Sequence, residues 1–225
     1  MNYKILLNLG VGLILFGCNS NIKSNNQKKT DAAVKAKVAA RTGTEEVKFT
    51  DSNKNKEEIQ ALTRQMLKWA GTKGAIELLP ALSKDSICVG FDFDKEKLNL
   101  EKLRKTEFFA DEFIDNYDHI IHTLDKKIKN NEFGKWNVYE LPTFNFANDA
   151  SPWCSCQDNL SWDKVAVEIV KIDDDKGELK WNWGKLDPGT DQSWKDFSYP
   201  FRVVKVDGKW KISYLQGFDY NESIK

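Results

Sequence analysis

Near Gly134 the hydrophobic period of this chain changes from between three and four residues to two, and the fold must accommodate both halves. Before the switch, from Glu57, the residues Ile59, Leu62, Met66, Trp69 and Ala70 recur at helical spacing as an amphipathic stripe. Gly71 and Gly74 interrupt the stripe, and Ala75 to Leu79 resumes it before Pro80, which predicts one bent helix or two short ones. Ile87 to Phe93 reads as a strand, and helix returns from Asn99. Thr106 to Lys129 is the clearest helix. At about 100° per residue, Phe109, Phe113, Tyr117, Ile120, Ile121, Leu124 and Ile128 fall on one broad face. Asp111, Asp115, Asp118, His119 and His122 occupy the other.

After the switch, Val165, Val167 and Ile169 alternate, and Asp173 to Gly177 supplies a turn. Leu179, Trp181 and Trp183 then alternate with Glu178, Lys180 and Asn182. A second hairpin runs through Phe201 to Val206, turns at Asp207-Gly208, and returns through Trp210, Ile212 and Tyr214. Asp-Gly between alternating strands is a strong hairpin signal, because both residues accept the positive φ of a type I′ turn. Pro142, Pro152 and the polar cluster near Asn148 mark a long irregular connection. Helices followed by hairpins predict an α+β fold, with N-terminal helices packed on one face of a curved antiparallel sheet.

The amino end belongs to neither half. Lys4 precedes an apolar run from Ile5 to Phe16, closed by Leu15-Phe16-Gly17-Cys18 and followed at once by polar Asn19 and Ser20. A short charged start, a brief apolar core and a small residue at its end describe a secretory signal. The run is shorter than the roughly 17–25 residues a membrane span requires. Leu-Phe-Gly-Cys resembles the lipobox of bacterial lipoproteins. That resemblance implies a signal peptide over 1–17, cleavage before Cys18, and a diacylglycerol on its thiol. Each buried lipid methylene contributes about 0.8 kcal/mol, and two or more acyl chains suffice for stable anchoring. Asn19 after the cysteine is similar to lipoproteins sent on to the periplasmic face of an outer membrane. Residues 18–56 are rich in Asn, Lys, Ser and Thr and too poor in apolar side chains to offset ordering entropy, so they read as a disordered tether. A coil of that length spans about 35 Å. Residues 57–225 are then a single domain.

Charge narrows the partners. Lys+Arg and Asp+Glu are 34 each, and this balance argues against nucleic acid, whose binding needs a basic surface. Beyond Cys18 there remain Cys88, Cys154 and Cys156, enough for one disulfide and one free thiol in an oxidising compartment. Cys154 and Cys156 are too close for a relaxed bridge along an extended chain, so Cys88 is expected to pair with one of them. A metal reading of the Cys-Ser-Cys pair lacks the four ligands and wider spacing of zinc sites.

The helical first half, the two terminal hairpins, and the ending Tyr199-Pro200-Phe201-Arg202-Val203-Val204-Lys205-Val206-Asp207-Gly208-Lys209-Trp210-Lys211-Ile212 resemble the cystatin-like cone of the nuclear-transport-factor-2-like superfamily. The likeness is to uncharacterised envelope lipoproteins with that domain and covers roughly Glu57 to Phe218. It implies a cone whose interior or mouth holds a small ligand. In enzymes of that superfamily a His, Asp or Tyr sits inside the cone.

Several residues are candidates for chemistry. Trp181, Trp183, Trp210 and Tyr214 are expected to line the cavity or its mouth, since pockets are largely apolar and aromatic. Trp153, Trp162 and Trp194 lie in connections, where sites form. Glu168 shares its strand side with Ala166 and Val170 and is the strand carboxylate that could face inward, where burial would raise its pKa; the simpler reading is an edge-strand glutamate that reaches water. Asp115, His119 and His122 share an arc of about 80° with Asp111 and are weak metal candidates on a helix face that should be solvated. There is no Gly-x-Ser-x-Gly elbow, P-loop, Gly-x-Gly-x-x-Gly or His-Glu-x-x-His, and no cofactor is expected. The leading expectation is a lipid-anchored, non-enzymatic binder of a small ligand or an envelope protein. The alternatives are a lyase, isomerase or hydrolase using an inward carboxylate, and an immunity or assembly factor acting through its surface, with Cys154 to Trp162 as its variable loop.

Overall fold

The first helix, α1, spans 53–70 in the computed structural model, which describes residues 53–225. The expected signal peptide, Cys18 and the tether as far as residue 52 lie outside the described residues. The last tether residues, 53–56, are helical instead, one turn earlier than the apolar stripe begins. That turn is held from outside the helix: Trp210 Nε1 donates to Asn55 Oδ1 at 3.2 Å. Ile59, Met66 and Leu67 are buried, as the stripe requires.

Helix does not resume after Gly71, contrary to the pattern over Ala75 to Leu79. The chain turns through Thr72 N to Trp69 O and Ala75 N to Thr72 O, then enters a hairpin of β1 (Ala81–Lys84) and β2 (Ile87–Phe91). Asp85 and Ser86 at its tip take φ of 50° and 66°, the left-handed pair of a type I′ turn. Asp92 ends the strand two residues early by capping α2 (Phe93–Thr106): its carboxylate accepts from the backbone N–H of Asp94 and Lys95, each at 3.1 Å.

The four-stranded sheet is an antiparallel meander, β3 (Ala166–Ile172), β4 (Lys176–Asn182), β5 (Tyr199–Val206) and β6 (Lys209–Leu215), in that spatial order. Both predicted turns form. Asp173 accepts from Asp175 N and Lys176 N, and Asp207 and Gly208 take φ of 51° and 75°. Alternation sorts the faces: Val167, Leu179, Trp181, Phe201, Val203 and Ile212 are buried, whereas Glu168, Val170, Glu178 and Arg202 are exposed.

The helix expected from Thr106 to Lys129 begins only at Asp111, and Thr106 is the last residue of α2. Glu107, at φ 58°, closes α2, and α3 runs Asp111–Lys129. Between them the backbone turns to the edge of β6: Ile212 N donates to Phe108 O at 2.8 Å, and Ala110 N to Ile212 O at 2.9 Å. Periodicity could not reveal this break, because Phe109 is buried whether it is helical or extended. Helix α3 packs its stripe of Phe113, Ile114, Tyr117, Ile120, Ile121 and Leu124 against β2 and β6. Two short helices follow, α4 (Gln192–Asp196) and α5 (Tyr220–Ser223). A continuous hydrophobic core joins helices and both sheets, so the described residues form one α+β globular domain. No helix among them is long and apolar enough to cross a membrane.

Candidate functional site: an aromatic groove beside a disulfide loop

The long connection from α3 to β3 enters the core at Trp136, Phe144 and Phe146 and again at Trp153. The Trp153 ring lies 4.6 Å from Phe218, 5.6 Å from Trp69 and 5.7 Å from Phe109, centroid to centroid. One residue earlier, Pro152 O accepts the buried Tyr199 hydroxyl at 2.6 Å, and that hydroxyl accepts Gly217 N at 2.9 Å. Burial raises the Tyr199 pKa and keeps the phenol neutral, so it both donates and accepts. The segment that follows is therefore held at a fixed place against the end of β5.

From that anchor the chain folds back on itself. Ser151 N donates to Cys156 O at 3.1 Å, Ser155 N donates to Ser151 O at 2.7 Å, and Ser155 takes φ 49°. The loop brings Cys154 and Cys156 together as a disulfide with Cα atoms 5.1 Å apart. The expected pairing of Cys88 is thereby corrected. A Cys-x-Cys bridge is strained only along an extended chain, and the left-handed Ser155 turns the chain so that the two sulfurs meet. Cys88 is a buried free thiol that donates to Gly90 O at 3.4 Å, and burial pushes its pKa up. Closing so small a loop stabilises little: chain-entropy reasoning gives about 1.5 kcal/mol, against about 3 for a 15-residue loop.

Opposite this loop stands α4. Asp191 caps it, accepting from Ser193 N at 2.9 Å and Ser193 Oγ at 2.6 Å, contacts that hold its carboxyl below the usual carboxylate range. The cap places Trp194 and Phe197 along the edge of Trp183, at 5.5 and 6.0 Å. Between loop and helix lies an open groove of about 420 Å³. Cys156, Trp183, Trp194 and Phe197 line it, with Asp149 and Asp158 at its polar side. Behind the wall Trp181 packs on Trp183 and Phe197 at 5.2 and 4.8 Å. The indole N–H groups of Trp181 and Trp183 are buried without an acceptor among the described residues. Each such orphan typically costs about 1–3 kcal/mol.

The other expected site residues are dispersed. Trp181 is fully buried, and Trp210 is buried with its N–H satisfied by Asn55. Tyr214 lies on the opposite side of the sheet, under the Arg202 guanidinium at 4.7 Å, its hydroxyl bonded to Asp219. Glu168 is exposed and paired with Lys180 at 3.1 Å, which corrects the inward reading. A β-bulge shifts the register between Ile169 and Lys171, and the side shared by Glu168 and Val170 is the solvent side. Of the expected cavity residues only Trp183 reaches the groove; Trp181 and Trp210 are packed in the core.

His119, His122 and Asp115 are all exposed. His122 lies 3.5 Å from Asp118 and stacks on Phe93 at 4.4 Å, while His119 leans on Tyr220. No three His, Cys, Asp or Glu side chains among the described residues are placed to hold a metal ion.

Two carboxylates are buried, both on helices: Asp125 on α3, which accepts from Phe91 N and pairs with Lys129 at 2.8 Å, and Glu96. Glu96 on α2 is 1% exposed, and burial pushes its pKa up to about 7. Its Oε2 receives the Tyr117 hydroxyl at 3.1 Å, while Oε1 has no partner among the described residues. Tyr117 also reaches Leu78 O, at 3.2 Å, and its pKa is raised by burial and by Glu96 beside it. A signal existed in the sequence: Glu96, Asn99 and Leu103 share one helical stripe, the buried one.

These features define an α+β domain carrying a rim groove of aromatic side chains next to a local disulfide. No known protein family matches the chain, and no curated protein does. A solved structure of a protein of unknown function from Bacteroides thetaiotaomicron is similar at 17% identity, over 76% of this chain and 98% of that one, with a TM-score of 0.36.

Proposed function

We propose that this is a lipid-anchored cell-envelope protein, held by acylated Cys18, whose nuclear-transport-factor-2-like domain binds a peptide segment of an envelope partner in the groove between the Cys154–Cys156 loop and α4. The observation that carries the binding reading is the groove itself. Two half-buried aromatic rings, Trp194 and Phe197, stand in an open recess beside the carboxylates Asp149 and Asp158. Aromatic walls with an acidic side favour a segment bearing an apolar or aromatic residue and a cationic one, the latter also able to sit over an indole face. The filled interior favours this rim over the cone cavity. The envelope reading is supported by the Leu15-Phe16-Gly17-Cys18 sequence after a short apolar run.

Two experiments test the two halves. Metabolic labelling with a clickable fatty acid should tag the wild-type chain and leave Cys18→Ala unlabelled; equal labelling of both ends the anchor reading. For the groove, a random peptide library selected on the mature chain should yield binders enriched in aromatic and basic residues. Those binders should weaken by about 1–3 kcal/mol on Trp194→Ala, the range for a central aromatic contact. Binders indifferent to Trp194→Ala, or displaced by a small molecule seated elsewhere, would place the site elsewhere.

A further inference from the structure

We propose that the Cys154–Cys156 pair is a reversible dithiol/disulfide centre that exchanges with thiols of the peptide lying in the adjacent groove. The inference rests on the proposed peptide-binding reading of that groove and adds a chemistry to it.

Three observations carry it. The bridge is redundant as a staple. Backbone bonds from Ser151 N to Cys156 O and from Ser155 N to Ser151 O already close the same turn, and the Trp153 ring and the Tyr199–Pro152 bond already fix it to the core. Constraint of the unfolded chain is also least when the bonded residues are two apart. The second observation is asymmetry. Cys154 is buried at 4% exposure, whereas Cys156 is half-buried and lines the groove, so a thiolate approaching from the groove meets one sulfur and not the other. Access and the sulfur attacked are what direct thiol–disulfide exchange. The third is position: Cys156 shares its recess with Trp194 and Phe197, which would hold a peptide over it.

The chemistry balances as a two-electron transfer. A peptide thiol loses its proton, and the thiolate attacks Cys156 Sγ. The Cys154–Cys156 bond breaks, a peptide–Cys156 mixed disulfide forms, and Cys154 leaves as a thiolate that takes up a proton. A second peptide thiolate then attacks the peptide sulfur of the mixed disulfide and expels Cys156, which is protonated in turn. The peptide dithiol is oxidised to a disulfide and the pair is reduced to two thiols; a peptide disulfide meeting the reduced pair runs the same steps backwards.

The test uses the purified mature chain in glutathione buffers of graded redox ratio, quenched with acid, alkylated, and weighed intact. Two added alkyl groups should appear as the ratio becomes reducing and vanish as it is reversed, with the circular dichroism unchanged. Cys88 provides the internal control, because its buried thiol is labelled only when the domain opens. If the pair becomes reducible only together with labelling of Cys88, the bridge is a structural staple and the proposal fails. Offered a groove-binding peptide whose cysteine is held as a disulfide with glutathione, Cys154→Ser should attack it through the Cys156 thiolate, expel glutathione and accumulate a Cys156–peptide disulfide, whereas Cys156→Ser should not; trapping by Cys156→Ser alone overturns the assigned direction of attack. Trp194→Ala should lower the ratio of peptide to glutathione exchange rates by about tenfold, the equivalent of one aromatic contact; an unchanged ratio removes the groove from the reaction. Binding of a cysteine-free version of the peptide reports on the groove alone. Its survival beside an inert disulfide would sink the exchange chemistry and leave the binding reading standing.

Discussion

Gly217→Ala is expected to destabilise the domain by about 3 kcal/mol or more, the upper end for forced overpacking. A Cβ built at this position overlaps the Pro152 carbonyl oxygen and comes within 2.6 Å of the Pro152 carbonyl carbon and Cα. All three are backbone or ring-bound atoms, so no side-chain rotation relieves the contact. Moving Pro152 would also break the clamp in which Tyr199 donates to Pro152 O and accepts from Gly217 N, and would drag Trp153 out of its aromatic setting. Gly189→Ala is the control: nothing lies within 4 Å of its Cβ, and the change should stay within about 0.5 kcal/mol. Urea denaturation of both variants decides it. A Gly217→Ala midpoint equal to that of Gly189→Ala would mean that the turn at the end of β6 is not seated on Pro152. Because this seat positions the Cys154–Cys156 loop, Gly217→Ala should also weaken the peptide binding proposed for the groove.

Glu96→Gln should raise stability at alkaline pH and leave it nearly unchanged in mild acid. The sign follows from linkage. Below the ordinary glutamate pKa of 4.5 the carboxyl is protonated in both folded and unfolded chains and contributes no pH dependence. From there to about 7 the unfolded chain releases the proton while the folded chain retains it, so folding stability falls as pH rises. Above about 7 both forms are ionised, and the loss levels off at about 3 kcal/mol. Glutamine keeps the size, still accepts from Tyr117, and cannot ionise. The variant should therefore exceed the wild type by that amount at pH 8, with the slope between pH 5 and 7 removed. Thermal or urea unfolding across that pH range checks this; parallel curves for the two proteins would show that Glu96 does not titrate in this window. The strain of ionising Glu96 would be felt locally as well, since Asn99 donates to Glu77 O at 2.8 Å and Tyr117 approaches Leu78 O, tying α2 and α3 to the segment before β1.

The α+β class, the long α3 and the two terminal hairpins were legible because each rests on local chemistry; the strand β1 was not, and the helix expected over Ala75 to Leu79 is absent. A period of two with Asp207-Gly208 at its centre admits little besides a hairpin, and Phe113 to Leu124 at helical spacing admits little besides a helix with one buried face. Element ends were less legible. The division of α2 from α3 depends on Phe108 and Ala110 bonding the backbone of Ile212, a partner more than a hundred residues away. The site was the least legible part. Alternation correctly placed Trp181, Trp183 and Trp210 on the inner face, but inward does not distinguish a cavity lining from a packed core. That depends on whether other side chains fill the space, and here they do. Glu168 and Glu96 make the same point in opposite directions: a strand glutamate beside Val170 reaches water, and a helix glutamate in a run of lysines is buried.

Hydrophobic period and turn chemistry, properties of neighbours along the chain, sufficed to assign an α+β domain with its long helices ahead of its four-stranded sheet. The pairing of Cys154 with Cys156, the burial of Glu96 and the meeting of Trp194 with the disulfide loop came only with the folded chain. Each depends on one backbone angle or one distant contact: the left-handed turn at Ser155, the Tyr117 hydroxyl, the Tyr199 clamp on Pro152. Such contacts join residues that carry no record of each other in their spacing, and two of them, the turn at Ser155 and the clamp on Pro152, build the disulfide side of the groove.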